Sequence, residues 1–283
     1  MKTISNIADL RLIVNEARRA GRSVGFVPTM GYFHAGHQSL MERARRENDL
    51  VVVSLFVNPI QFGPNEDFEK YPRDLQRDEQ LAAATGVDLL FYPAVAEMYP
   101  DGFQTNVTVT GVSQGMCGSS RPGHFQGVAT VVLKLFNIVG PDRAYFGEKD
   151  AQQLRVIRQL VRDLNLPLAV IGCPIVREAD GLAMSSRNVY LNPSERQAAL
   201  VLSRSLAWAR EALASGERDA ARLQATLRRL IDSEPLAELE YLVIVNSETL
   251  APVARLAGEL LIALAVRFGK TRLIDNLTVT VQG

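Results

Sequence analysis

Short apolar runs recur along the first 175 residues, at Val24 to Val27, Val51 to Val57, Asp88 to Tyr92, Arg143 to Phe146 and Leu168 to Ile171. Runs of this length, bounded by turn residues, read as strands buried on both faces. Between them Ser39 to Glu47, Arg73 to Thr85, Gln126 to Val139 and Asp150 to Leu164 have helical texture, and these segments end near Gly, Pro or Asn. The alternation predicts an α/β domain over residues 1–175, a doubly wound parallel sheet covered by helices. After Pro174 the texture changes: Arg177 to Gly181 is a polar turn, and Pro193 opens what read as two long Ala-, Leu- and Arg-rich helices through about Asp232. Strand-like runs follow at Leu239 to Val245, Glu259 to Val266 and Thr271 to Leu277, which predicts a smaller α+β domain over residues 176–283.

In such a sheet, ligands bind beyond the carboxyl ends of the strands. Three polar segments fall there: Pro28 to His37 with its His34-Ala35-Gly36-His37 span, Asn58 to Gly63, and Gly147 to Asp150. The first holds two of the chain's three histidines at a strand-to-helix turn, where backbone N–H groups and the helix dipole favour an anion and Gly31 and Gly36 permit close approach. A His-x-x-His pair can also bind zinc or simply pack, but no nearby Cys or His supplies a third ligand.

Composition narrows the class. The 283 residues are 47% hydrophobic and 22% charged, ordinary for a soluble globular protein, and 31 basic residues balance 31 acidic ones. Zero net charge argues against nucleic acid or a membrane surface as partner. Cys117 and Cys173 stand far apart in no CxxC arrangement, so neither a disulfide framework nor a structural zinc is expected. Early charge at the N-terminus argues against a signal peptide, no apolar run has membrane-spanning length, and the expected location is the cytoplasm.

The His34 to His37 span resembles the HIGH motif of the nucleotidylyltransferase and class I synthetase superfamily, and Met184-Ser185-Ser186-Arg187 resembles its KMSKS-type partner loop. Between them lie Phe56 to Gly63, Arg121 to Val128 and Phe146 to Gln153, and together these segments resemble the pantothenate synthetase (pantoate:β-alanine ligase) family nearly end to end. The resemblance implies a Rossmann-like first domain. It also implies an ATP-dependent ligase that condenses pantoate with β-alanine through a pantoyl adenylate, releasing AMP and pyrophosphate, and a homodimer. Charge builds on phosphorus and on the leaving pyrophosphate in that chemistry, so cationic and hydrogen-bonding groups should dominate the site.

Carried onto this chain, the resemblance makes His34, His37, Lys149, Ser185, Ser186 and Arg187 the catalytic groups. The first two contact phosphate, Lys149 bridges phosphate and the reacting carboxylate, and the last three clamp the outer phosphates. Arg187 stands where many relatives have Lys, and a guanidinium serves phosphate as well or better. ATP would also meet Met30, Gly147, Asp150 and Met184. Gln61 and Gln153 would hold pantoate, with Met30, Phe56 and Val131 as an apolar wall, and Arg121 would hold the second substrate or phosphate. ATP implies Mg2+, for which Asp150 or Asp78 are the candidate ligands. His124 remains open between the site rim and loop packing, and Cys117 reads as a packed or loop thiol. Two other readings are a nucleotidylyltransferase of the same superfamily and a catalytically silent nucleotide-binding module. The two glutamines speak against the first, and the retained histidines, Lys149 and Met184 to Arg187 against the second.

Overall fold

The computed structural model describes residues 1–64 and 66–282, which form two compact units: Met1–Glu148 with Gln152–Pro174, and Lys149–Ala151 with the chain from Ile175 onward. The first unit holds six strands, β1 (Lys2–Ile4), β2 (Val24–Thr29), β3 (Leu50–Leu55), β4 (Leu89–Phe91), β5 (Arg143–Gly147) and β6 (Ala169–Cys173). All pair in parallel, in the order β1-β4-β3-β2-β5-β6. Every residue of β3 is buried, as a strand covered on both faces requires. The winding reverses between β2 and β5, and the crevice at such a reversal is where open α/β sheets bind ligands. The expected doubly wound sheet is therefore present.

Its helices are α1 (Ile7–Arg19), α2 (Ala35–Glu47), α3 (Leu75–Ala84), α4 (Val95–Met98), α5 (Met116–Ser120), α6 (His124–Val139) and α7 (Ala151–Asp163). On one sheet face Leu40, Met41 and Ala44 of α2 join Val27, Val51 and Val53 in a dry cluster. On α6, Phe136 stands edge-on to Phe26 of β2 and Phe146 of β5. Asp74 caps α3 through the Arg77 N–H, and Gly140, in the left-handed conformation, ends α6.

The second unit is an antiparallel sheet, β7 (Ala237–Asn246), β8 (Gly258–Phe268) and β9 (Thr271–Val281), in that order. Three helices precede it, α8 (Pro193–Ala198), α9 (Val201–Ala214) and α10 (Ala220–Asp232), rather than the expected two. The break falls at Ala199 and Leu200, in an apolar run that carries no visible stop signal. Leu223, Leu227 and Ile231 recur every fourth residue on α10 and are fully buried, each worth roughly 1.5–3 kcal/mol of apolar burial. β1 and α1 lie outside the predicted elements, and α2 begins at Ala35 rather than Ser39. Gly36 disguises that start, because glycine is a poor helix former.

Candidate active site

In the first unit the chain leaves β2 through Met30, Gly31 and Tyr32, the last two with φ of 86° and 53°. A Cβ at Gly31 would lie 2.9 Å from Leu55 Cδ2 and 3.0 Å from Asp78 Oδ2, so only glycine fits. Asp78 holds the turn: Tyr32 N–H donates to Oδ2 and Phe33 N–H to Oδ1, both at 2.6 Å. The carboxylate is fully buried, and burial pushes its pKa up against the pull of those two amides. The sequence offers Asp78 as a candidate magnesium ligand. With both oxygens taken up by backbone amides, it is the anchor of the histidine turn instead.

His34 caps α2, and its Nδ1 accepts the Gly36 N–H at 3.1 Å. His37, one turn in, accepts the His34 N–H on its own Nδ1 at 3.3 Å, and the ring centroids lie 4.0 Å apart. A nitrogen that accepts cannot carry the proton, so both neutral rings are Nε2–H tautomers. Each imidazole thus presents a fixed donor at the head of a helix.

Gln61 closes the 3-10 turn Pro59–Gln61 that follows β3. Its amide orientation follows from one carbonyl. Gly127 O can only accept, so the Asn58 atom 3.2 Å from it is Nδ2, and that nitrogen also donates to Gln61 Oε1 at 3.0 Å. Asn58 Oδ1 accordingly accepts from the Tyr99 hydroxyl at 2.8 Å. Gln61 Nε2 is then the outer atom, 3.1 Å from Met30 Sδ, a weak acceptor that a ligand oxygen would displace. Burial holds the Tyr99 hydroxyl well above its ordinary pKa, so it remains a donor. Asn58 opens a segment that the sequence places at the ligand edge of the sheet but is given no role there, and Tyr99 is absent from the residues that the sequence singles out.

His124, left open by the sequence, packs against the Gln61 turn. Its Nε2 lies 3.0 Å from Arg121, which can only donate, so Nδ1–H donates to Gln61 O at 2.9 Å. Arg121 in turn forks onto Glu66 at 2.7 and 2.6 Å. Burial raises the Glu66 carboxyl, but the Arg121 hydrogen bonds and charge outweigh it and hold the pKa below the ordinary value. Arg121, expected to meet the second substrate or a phosphate, here forms a clamp that fixes the Gln61 backbone. Gly127 lets α6 approach that turn, since a Cβ there would lie 2.5 Å from Ile60 O.

Phe56 and Val131 are buried, and Phe56 lies 6.0 Å from the Tyr99 ring. Of the two adjacent glutamines on α7, buried Gln152 donates to the carbonyls of Val112, Gln114 and Gly115. The side chain of half-buried Gln153 makes no hydrogen bond among the described residues. Cys117 is buried in α5 and forms no disulfide.

In the second unit Lys149 is half-buried and Asp150 exposed, both in the 3-10 turn Glu148–Asp150 that follows Gly147. Ser185 Oγ accepts the Arg187 N–H at 3.2 Å and so caps a second 3-10 turn, Ser186–Tyr190, in which Ser186 is buried. Among the described residues no three His, Cys, Asp or Glu side chains cluster as a metal site would, and no helix is long and apolar enough to cross a membrane.

A family model described as pantoate-beta-alanine ligase matches residues 2–278. The chain belongs to the pantoate-beta-alanine ligase family. It is an enzyme that joins pantoate to β-alanine with ATP as co-substrate. A pantothenate synthetase from Heliobacterium modesticaldum is 62% identical over 99% of this chain and 100% of its own. The crystal structure of pantothenate synthetase from Thermus thermophilus superposes with a TM-score of 0.94 at 52% identity, covering 98% of this chain and 99% of that one. The pantoate-beta-alanine ligase of Francisella tularensis, solved with Beta-gamma ATP and Beta-alanine, superposes at 0.80 with 37% identity, covering 98% and 97%. Ligases of this family thus match the chain from end to end, which sets aside the nucleotidylyltransferase and silent-module readings.

Proposed function

We propose that the protein makes pantothenate in two steps through a pantoyl adenylate. A pantoate carboxylate oxygen attacks the α-phosphorus of ATP, the bond to the β-phosphate breaks, and pyrophosphate leaves. The β-alanine amine then attacks the acyl carbon, AMP departs with the carboxyl-derived oxygen, and the amine gives up its proton. The observation that carries this reading is the pair of Nε2–H donors on His34 and His37, fixed at the head of α2 beside the reversal of the sheet. Uncharged, pre-aimed donors stabilise charge as it develops on a phosphate without reorganising.

Lys149 bridges phosphate and the attacking carboxylate, while Ser185, Ser186 and Arg187 hold the β- and γ-phosphates. Met30, Gly147 and Met184 line the nucleotide. Gln61 offers its N–H to a pantoate oxygen and Gln153 supplies the second amide, with Met30, Phe56 and Val131 against the geminal methyls. A magnesium ion brought with ATP would find exposed Asp150 as the one candidate carboxylate left, and would supply neutralisation of phosphate charge. The protein works as a cytoplasmic homodimer, a part of the proposal that the family resemblance supports and light scattering tests.

The adenylate is tested by pyrophosphate–ATP exchange without β-alanine. Exchange that requires pantoate supports it. Exchange that proceeds without pantoate, or only once β-alanine is added, would remove the acyl adenylate.

A further inference from the structure

Two adjacent polar residues, Asp275 and Asn276, are buried in the middle of β9, 1% and 4% exposed, with apolar Leu273 and Leu277 beside them. Successive strand residues point to opposite faces, so the two serve different partners. A buried polar side chain costs stability unless it is hydrogen-bonded, which makes its partner informative. Asn276 Nδ2 donates to the backbone carbonyl of Lys149 at 2.9 Å. Asp275 accepts a two-pronged pair from Arg177 at 2.7 and 2.9 Å, and Arg177 also donates to Gly181 O at 3.0 Å. That contact closes the turn whose two arms meet at Arg177 and Ala183, immediately before Met184 to Arg187. The 3-10 turn Ser186–Tyr190 packs against β9 as well.

We infer that Asn276 is a positioning residue for Lys149 in the adenylation step, and that β9 is the common anchor of Lys149 and the Met184 to Arg187 segment. The inference rests on the reading that Lys149 acts at the phosphate. A lysine side chain has four rotatable bonds, so the direction of its ammonium depends on where the backbone is held. Lys149 lies in a short turn between a strand and a helix, where its carbonyl belongs to neither ladder. The Asn276 amide fixes that carbonyl, and the neighbouring Asp275 fixes the approach to the second phosphate-handling segment. Both cationic segments thereby share one rigid reference.

The test is a double-mutant cycle of Asn276→Leu, which keeps the branched heavy-atom skeleton but not the donor, with Lys149→Ala. Three quantities are read: the single-turnover rate of pyrophosphate release with pantoate and ATP, pantoate affinity by calorimetry, and the thermal melt. Asn276→Leu is expected to slow pyrophosphate release about tenfold or more while pantoate affinity stays within about twofold, and to add less than about twofold in the Lys149→Ala background. A packing role alone would slow both backgrounds equally. An Asn276→Leu protein that melts cooperatively and turns over at the wild-type rate, or whose loss multiplies in full with that of Lys149→Ala, overturns the inference. A wild-type rate in Lys149→Ala overturns the underlying reading instead. If the leucine variant does not melt cooperatively, Asn276→Ser, which is too short to keep the bond, carries the same outcomes.

Discussion

The histidine turn and the lysine turn are held by opposite means. His34 and His37 are fixed within one four-residue span: the His34 ring accepts the Gly36 N–H and the His37 ring accepts the His34 N–H. Lys149 is tied at its carbonyl to a side chain 127 residues away on the last strand. Local capping leaves each ring with one tautomer and one direction before anything binds. Long-range anchoring fixes only the base of a flexible side chain and leaves its head adjustable. The first arrangement suits donors that wait for developing charge, and the second a cation that must reach two groups in turn.

The largest effects should come from the groups proposed to act at the phosphate. His37→Ala and Lys149→Ala are each expected to lower kcat by about 2–4 kcal/mol, tens to a thousandfold, in proteins that still fold. His34→Asn sharpens the comparison, because asparagine caps a helix well: stability should hold while kcat falls, as steady-state kinetics and a melt on one sample would read. A variant retaining full turnover would remove its residue from the site.

Asp78→Ala strands the buried Phe33 amide, at roughly 1–3 kcal/mol, and the half-buried Tyr32 amide, and should lower both the denaturant midpoint and kcat. A stable variant with normal turnover would show that the histidine turn holds itself. Gly127→Ala pushes α6 against the Gln61 turn and should weaken pantoate binding by about 1–3 kcal/mol with ATP affinity little changed, measured by calorimetry. Tyr99→Phe removes one donor from Asn58 and should cost about 1 kcal/mol of the same affinity. The smallest effect is a pH dependence. The Glu66 pKa is lowered in the folded protein, so its clamp contributes stability above the ordinary value of 4.5 and loses it as pH falls through the lowered value. Melts across that range should show Glu66→Gln losing less stability than the wild type, and parallel curves would remove Glu66 from the clamp.

The same contrast explains what could be read from the chain alone. The sheet was legible because buried parallel strands are continuous apolar runs, and the histidine pair because its chemistry and its cap lie within four residues. Asp78 reads as an available carboxylate since its partners, Tyr32 and Phe33, are 46 and 45 residues away. Arg121 looks free for a ligand because nothing in the sequence says that Glu66, 55 residues earlier, folds back onto it. Tyr99 and Asn276 carry no local signal at all, and Gly127 stands in a quoted segment that does not reveal its role. Each acts through one tertiary contact, and only the fold supplies the partner.

The nucleotide products of one complete turnover test the central claim most directly. With ATP labelled at the α-phosphate, pantoate and β-alanine, chromatography should show label in AMP, with pyrophosphate and pantothenate formed in equal amounts. Label in ADP, with inorganic phosphate as the other product, would contradict attack at the α-phosphorus and with it the roles given to His34, His37 and Lys149.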